Sequence, residues 1–341
     1  MKIIVDVMSG DNAPEEIVKG AFLAAAQFGY ELVLVGDSDI VKIIAEENKF
    51  PIEDYSIELV HTTDVITMED NPLSVRSKKD SSMARSLSLL SEGYGDAAVS
   101  AGNTGALYTG ASLLVSRIKG FRKAAIATVL PLEKPLLLLD SGANVIVTDE
   151  NLEQFALMGS AYMEKVMGIA SPRVGLLNNG TERTKGSQLL QDTYARLEEH
   201  PSINFVGNVE AKAIPFDCCD VLVTDGFTGN VVLKLTEGLC GFFMRKLKTT
   251  YKQNIITKTS ALLVKGALKN MKKEFDASEY GGAPLLGISK PVIKAHGSSD
   301  AFAFMNAIRQ AAEYARSGMI ERLSGLNAER RSLNADNTDG E

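Results

Sequence analysis

The chain has 341 residues, of which 45% are hydrophobic and 23% charged, with 6% aromatics, no tryptophan and a net charge of −7. This is ordinary globular composition, long enough for two domains or one large α/β unit, and it argues against a large aromatic binding platform. The charge is uneven. Nine basic residues and no acid lie between Arg245 and Lys273, so the remaining chain is near −16, which excludes general affinity for nucleic acid and leaves one local basic surface to explain.

In chain order, β-branched apolar runs predict strands at 2–7, 31–35, 57–60, 96–100, 124–129, 136–140, 173–177, 203–206, 220–224 and 292–295. Several are continuously apolar, such as LLLLD and DVLVTDG, as expected of strands covered on both faces. Helices alternate with them. Pro14, Glu15 and Glu16 after Asn12 form a good first turn, residues 148–168 open on acids and close on Gly168, and residues 298–318 read as a long amphipathic helix. The alternation predicts a three-layer α/β/α sandwich on a large, mostly parallel sheet. No Pro/Gly-rich linker divides residues 1–323, which are expected to form one unit whose lobes, if any, share an interface, and the polar 324–341 segment reads as a disordered tail.

No cleavable signal is expected, since Asp6 interrupts the opening apolar run, and no uncharged run approaches the roughly 18 residues of a membrane span. Cys218, Cys219 and Cys240 fit neither a disulfide framework nor metal-type spacing, so a reducing cytoplasm and no metal are expected.

Ligands of open α/β sheets sit beyond the carboxyl ends of strands, at helix N-termini, where free N–H groups favour anions. Three junctions have that composition: Gly102, Asn103 and Thr104; Asp225, Gly226 and Asn230; and His296, Ser298 and Ser299. Two further loops follow strands, one with Asn144 and one with Asn178, Asn179, Gly180 and Lys185. Lys185 is a cation in a Gly-flanked loop before a helix, where it could neutralise phosphate or a developing oxyanion. P-loop, dinucleotide, HExxH and GxSxG motifs are all missing, so a covalent Ser or Cys mechanism is poorly supported.

The blocks DVMSGD, MEDNPLSVRSKKDSSM, SAGNTGA, LLDSGAN, GLLNNGTERTKG, VTDGFTGNVVLKLTEG, EYGGAPLLG and VIKAHGSSDA together resemble the acyl-ACP:phosphate acyltransferases (PlsX) of bacterial phospholipid synthesis, from Met1 to about Leu323. The first block carries Ser9-Gly10 where that family usually has two glycines. The resemblance implies a fold similar to isocitrate/isopropylmalate dehydrogenases and to phosphotransacetylase. It also implies a homodimer associated peripherally with the membrane, no cofactor, and transfer of a long acyl chain from acyl carrier protein to orthophosphate. Phosphate is itself a nucleophile, so positioning and electrostatics suffice. Lys185 and Asn230 are then expected to position charge, with His296 as acid or phosphate ligand.

In the basic segment, Lys258, Lys265, Lys269 and Lys272 fall on one side of a helical wheel, while Ile256, Leu263, Val264, Ala267 and Met271 cover the other. Such a helix suits an anionic bilayer surface or an acidic carrier protein. Two other readings stay open: a phosphate acetyl- or butyryltransferase using coenzyme A, and a non-catalytic carrier-protein or membrane adaptor.

Overall fold

In the computed structural model, which describes residues 1–274 and 277–326, eleven strands form one sheet. They are β1 (Lys2–Asp6), β2 (Glu31–Gly36), β3 (Ile57–His61), β4 (Ala97–Ser100), β5 (Ala125–Leu130) and β6 (Leu136–Leu139), followed by β7 (Arg173–Asn178), β8 (Asn204–Glu210), β9 (Val221–Val223), β10 (Gly282–Leu286) and β11 (Val292–Ala295). The helices are α1 (Glu15–Phe28), α2 (Ser38–Glu47), α3 (Ser74–Ser77), α4 (Ser82–Ser91), α5 (Thr104–Gly110) and α6 (Asp149–Lys165). After them come α7 (Gln188–Glu199), α8 (Gly226–Tyr251), α9 (Ile255–Leu263), α10 (Lys265–Glu274) and α11 (Ala301–Arg316).

The strand order is β3-β2-β1-β4-β11-β10-β5-β6-β9-β7-β8. The first five strands are mutually parallel, as are the last four, and only the joins made by β10 and between β5 and β6 are antiparallel. Burial explains the continuous apolar runs. In β6, Leu137 and Leu139 enter the core on one face, shared with α1, α6 and α11, while Leu136 and Leu138 enter a separate core on the other. In β2, Leu32 and Leu34 alternate with Val33 and Val35 in the same way.

Local chemistry sets several boundaries. Thr148 and Asn151 form a reciprocal capping box for α6. Gly29, at φ +65°, closes α1 with its N–H on the Ala25 carbonyl. The helix expected from residue 298 instead starts at Ala301, because Asp300 accepts the Ala303 N–H at 2.8 Å and leaves Ser298 and Ser299 in the loop before it. A helix at residues 319–326 carries the chain past Leu323, and Leu326 packs against the core. The helix thus takes in the first three residues of the expected tail; residues 327–341 lie outside the described residues.

β10 was not legible as a strand. Its sequence GAPLL has no alternation, and a proline in a central strand ordinarily argues against one. It is tolerated because β10 serves its neighbours in halves: residues 282–284 pair with β11, and Leu285 and Leu286 pair with β5. Beyond Ile126, β5 and β10 therefore part, and the sheet opens.

The basic segment also differs from expectation. It forms two helices, α9 and α10, interrupted at Val264, rather than one. Thr259 and Ser260 turn their hydroxyls back onto the Ile255 and Ile256 carbonyls, and Val264 is followed by Gly266, all of which weaken a continuous helix.

Candidate active site

Where β5 and β10 separate, a cleft of about 450 Å³ opens between the two parallel halves of the sheet. Its polar lining includes Asp11, Thr104, Lys294 and His296 on one side and Ser141, Asn230, Lys234 and Glu237 on the other, with Thr128 and Tyr280. Ile126, Val129 and Leu233 supply an apolar wall. Asp11, Thr104, Ser141, Asn230 and His296 lie beyond the carboxyl ends of β1, β4, β6, β9 and β11, where an open α/β sheet places its ligands, while Lys294 lies within β11 and Ile126 and Val129 within β5.

The first half is built by loops that brace one another. The Asp11 N–H donates to the Gly297 carbonyl at 2.8 Å, and Asn12 donates through Nδ2 to the Ser298 carbonyl at 3.0 Å. Gly10 adopts φ +125°, and a Cβ there would lie 2.9 Å from Ala101 Cβ, so only glycine lets the two loops meet. Gly102 is equally hemmed in: its Cβ would lie 2.7 Å from Ser9 Cβ. Asn103 spends its side chain on structure. Its Oδ1 accepts the Ala106 N–H at 3.0 Å, capping α5, and its Nδ2 donates to the Met68 and Asp70 carbonyls at 3.0 and 2.9 Å. Thr104, next in sequence, is the one that faces the cleft.

The second half turns on the fully buried Asp140. Its two oxygens accept from the N–H groups of Ile126, Gly142, Ala143 and Asn144 and from Asn144 Nδ2, at 2.7–3.2 Å. Asn144 is thereby consumed, and its remaining atoms bond the Ala124 carbonyl and the Tyr108 hydroxyl. Asp225 caps α8 by accepting from Thr228 N–H and Oγ1, and the Gly226 N–H donates to the Asn144 carbonyl at 2.8 Å. The start of α8 is pressed so closely on the Asp140 loop that Cβ atoms at Gly226 and Gly229 would meet its backbone, which sets Asn230 at the cleft wall.

Of the residues expected from sequence, the cleft thus gathers Thr104, Asn230 and His296, with Gly102, Asn103, Asn144, Asp225, Gly226 and Ser298 behind them as supports. Ser299 is buried in the same loop, its N–H on the His296 carbonyl. The 178–186 loop lies apart from the cleft lining. There Asn178 donates to the Lys185 carbonyl at 3.2 Å and accepts the Asn179 N–H, and Gly180 lies under the Lys185 side chain. Lys185 itself is half exposed, with Glu182 at 3.9 Å.

His296 has an assignable proton. The Ser298 N–H can only donate, and it points at Nδ1 from 3.2 Å, with Ser298 Oγ at 2.9 Å from the same nitrogen. Nδ1 is therefore the acceptor, and the neutral ring carries its proton on Nε2, free to donate.

The residue sequence reasoning missed is Lys294. It is 8% exposed, on the cleft, and donates from Nζ to the carbonyls of Ala101, at 3.1 Å, and Ala295. Burial pulls its pKa down to about 8, against the opposing pull of Asp11 and Asp6. Asp6 is fully buried, and burial raises its pKa although Ser100 donates to it at 2.7 Å. The one available signal was a lysine on an otherwise apolar strand, two residues before His296. Among the described residues no cluster of three or more His, Cys, Asp or Glu is placed to hold a metal ion.

Fold and cleft together define an α/β protein whose single mixed sheet opens into a polar cleft between two parallel halves. Its structure is similar to a phosphotransacetylase from Streptococcus pyogenes (TM-score 0.64, 19% identity, 92% of this chain and 94% of that one). It is also similar to a branched-chain phosphotransacylase from Enterococcus faecalis V583 (TM-score 0.55, 14% identity, 93% and 99% covered). A 4-hydroxythreonine-4-phosphate dehydrogenase from Burkholderia phymatum shares the architecture more distantly (TM-score 0.50, 13% identity, 92% and 97% covered). At these identities the likeness is one of fold. In sequence, residues 1–322 match the family described as fatty acid synthesis protein, and the chain belongs to that family. A phosphate acyltransferase from Desulfitobacterium hafniense is 47% identical over 326 residues, covering 95% of this chain and 96% of the relative. Another, from Clostridioides difficile, is 41% identical over 342 residues, covering 99% and 100%.

Proposed function

We propose that the chain transfers a long acyl group from the thioester of acyl carrier protein to orthophosphate. A phosphate oxygen attacks the thioester carbonyl, the carbon–sulfur bond breaks, and the carrier leaves as thiolate, giving an acyl phosphate. The observation that carries this reading is the cleft itself, where a buried amine, a His N–H donor and Asn and Thr side chains converge beside an apolar wall. Such a lining positions an anionic nucleophile and stabilises a developing oxyanion without a protein nucleophile. The test is release of free carrier thiol from long-chain acyl-ACP: it must require phosphate and yield acyl phosphate in equal amount. Phosphate-independent release, or none, sinks the proposal, and preference for a small acyl-CoA moves it to a coenzyme A-dependent transferase.

One observation favours a second reading. Ser298 Oγ lies 2.9 Å from His296 Nδ1, the spacing of a nucleophile and its base. Against it, Ser298 is not among the cleft-lining residues, and the same nitrogen is held by Ser298's own N–H, which makes the pair a local turn lock. Ser298→Ala is therefore expected to lower kcat by less than about tenfold, whereas loss of a true nucleophile costs orders of magnitude more. An acyl-enzyme trapped by rapid quench would decide for the serine.

We further infer that the chain works as a homodimer on an anionic membrane surface. No residue of α9 is buried: Ile255 and Leu263 are 81% and 84% exposed, beside Lys258 and Lys265. Val264 is less exposed, Lys269 lies on α10, and the side chain of Lys272 lies outside the described residues. Along α8, Val231, Leu235, Leu239 and Phe242 form an exposed apolar stripe at helical spacing, suited to a second copy. Among the described residues no helix is long and apolar enough to cross a membrane. A lysine near an anionic surface contributes about 1 kcal/mol, so binding should be weak, salt-sensitive and strengthened by dimerisation. Replacing Leu263 and Val264 with Glu is expected to abolish sedimentation with anionic vesicles while turnover in solution continues. Equal binding of the wild-type protein to neutral vesicles would refute the electrostatic part. Loss of activity only with acyl-ACP would assign the surface to the carrier.

A further inference from the structure

Asp6, Ser100 and Lys294 stand side by side on three adjacent parallel strands. Asp6 is in register with Ser100, and Ser100 with Lys294. All three follow by two residues a side chain packed in the same core (Ile4, Ala98 and Val292), so they form one polar row on that face of the sheet. The row ends at the cleft. Asp6 is tied up at its inner end by Ser100. At the outer end the Lys294 ammonium has two backbone carbonyls as acceptors and, among the described residues, no carboxylate within 4 Å.

A buried cation with only neutral acceptors is costly to hold charged. Its position is explained if an anion completes the site from the cleft side, toward which the third ammonium proton is free to turn. We propose that Lys294 is a catalytic residue, the cation against which orthophosphate seats in the cleft. This rests on the phosphate acyltransferase reading and deepens it, by moving the anion's charge partner from the exposed loop of Lys185 to the sheet itself.

The charged and titratable groups sharing the cleft or the field with Lys294 are Asp6 and Asp11 from β1 and its loop, Lys234 and Glu237 from α8, Tyr280 from the segment before β10, and His296 from its own strand end. The acids favour the ammonium and Lys234 opposes it, with burial the largest influence, for a pKa of about 8. Phosphate should therefore bind well below that pH and progressively less well above it, as the amine loses its proton.

The test compares Lys294→Met with wild type, using phosphate and long-chain acyl-ACP as the varied substrates. Loss of a charged hydrogen bond to phosphate predicts a rise in the phosphate KM of roughly ten- to a hundredfold, with the acyl donor KM changed by less than about twofold. The rise in wild-type phosphate KM above pH 8 should disappear in Lys294→Arg. Without any acyl donor, inorganic phosphate should raise the melting temperature of wild type and not of Lys294→Met. Should the methionine variant not fold, Lys294→Cys before and after aminoethylation keeps the comparison within one protein. Wild type treated alike controls for Cys218, Cys219 and Cys240. Restored phosphate affinity after aminoethylation supports the proposal. It is overturned if phosphate KM is unchanged in Lys294→Met, if both substrates weaken equally, or if only Lys185→Ala raises the phosphate KM. Failure of wild type to use phosphate at all would instead refute the broader reading.

Discussion

Gly229→Ala is expected to leave little folded, active protein. A Cβ at this position would lie 1.9 Å from the Asp140 carbonyl oxygen, a backbone atom that cannot swing aside. Either α8 must lift or the Asp140 loop must shift, and that loop is held by five donors converging on one buried carboxylate. Overpacking against side chains costs about 1–3 kcal/mol, and a backbone clash belongs at or above the top of that range. Any molecules that do fold carry a displaced Asn230, and misplacement by about 1 Å can cost on the order of 10²-fold in turnover. Gly238→Ala, in the same helix with nothing within 4 Å, should instead stabilise by up to about 1 kcal/mol. Denaturant midpoints of the two variants check the pair. A wild-type midpoint for Gly229→Ala would mean the junction is looser than described.

His296→Ala is the second large effect. The ring is oriented through Nδ1 by the Ser298 N–H, leaving Nε2–H as a donor on the cleft. A thiolate leaving group has a pKa near 8.5 and needs little help from an acid. In the proposed reaction the greater use of this N–H is therefore to meet negative charge as the thioester carbonyl is attacked. Removing one such donor costs about 10²–10³-fold in kcat. The expected signature is a fall in kcat with modest change in either KM and a normal melting temperature, since the side chain is exposed and supports no core. His296→Gln, which offers an N–H of similar reach, should recover part of the loss. A kcat within threefold of wild type for His296→Ala would remove the histidine from the chemistry.

The sequence by itself determined the architecture and the neighbourhood of the site. Continuous apolar runs such as Leu136–Leu139 can be buried only with both faces covered, and that requires helices on each side of a parallel sheet. Loops after β1, β4 and β11 then leave one edge of their parallel half together, while β9 runs the opposite way and α8 carries Asn230 across to meet Thr104 and His296 at the cleft. What one-dimensional pattern could not decide was how each polar side chain is spent. Asn103 and Asn144 look as available as Asn230, yet carbonyls distant in sequence absorb them. Lys185 and Lys294 carry the same charge, but Lys185 belongs to an exposed loop, while register across β1, β4 and β11 sets Lys294 into the cleft. β10 shows the same limit from the other side. Its glycine and proline read as a turn, and only β11 and β5, each taking half of it, make it a strand whose parting from β5 opens the site. Periodicity reports which face of an element is buried, because burial acts on each segment alone. Register between strands remote in the chain decides which polar groups find partners and which are left to face a ligand.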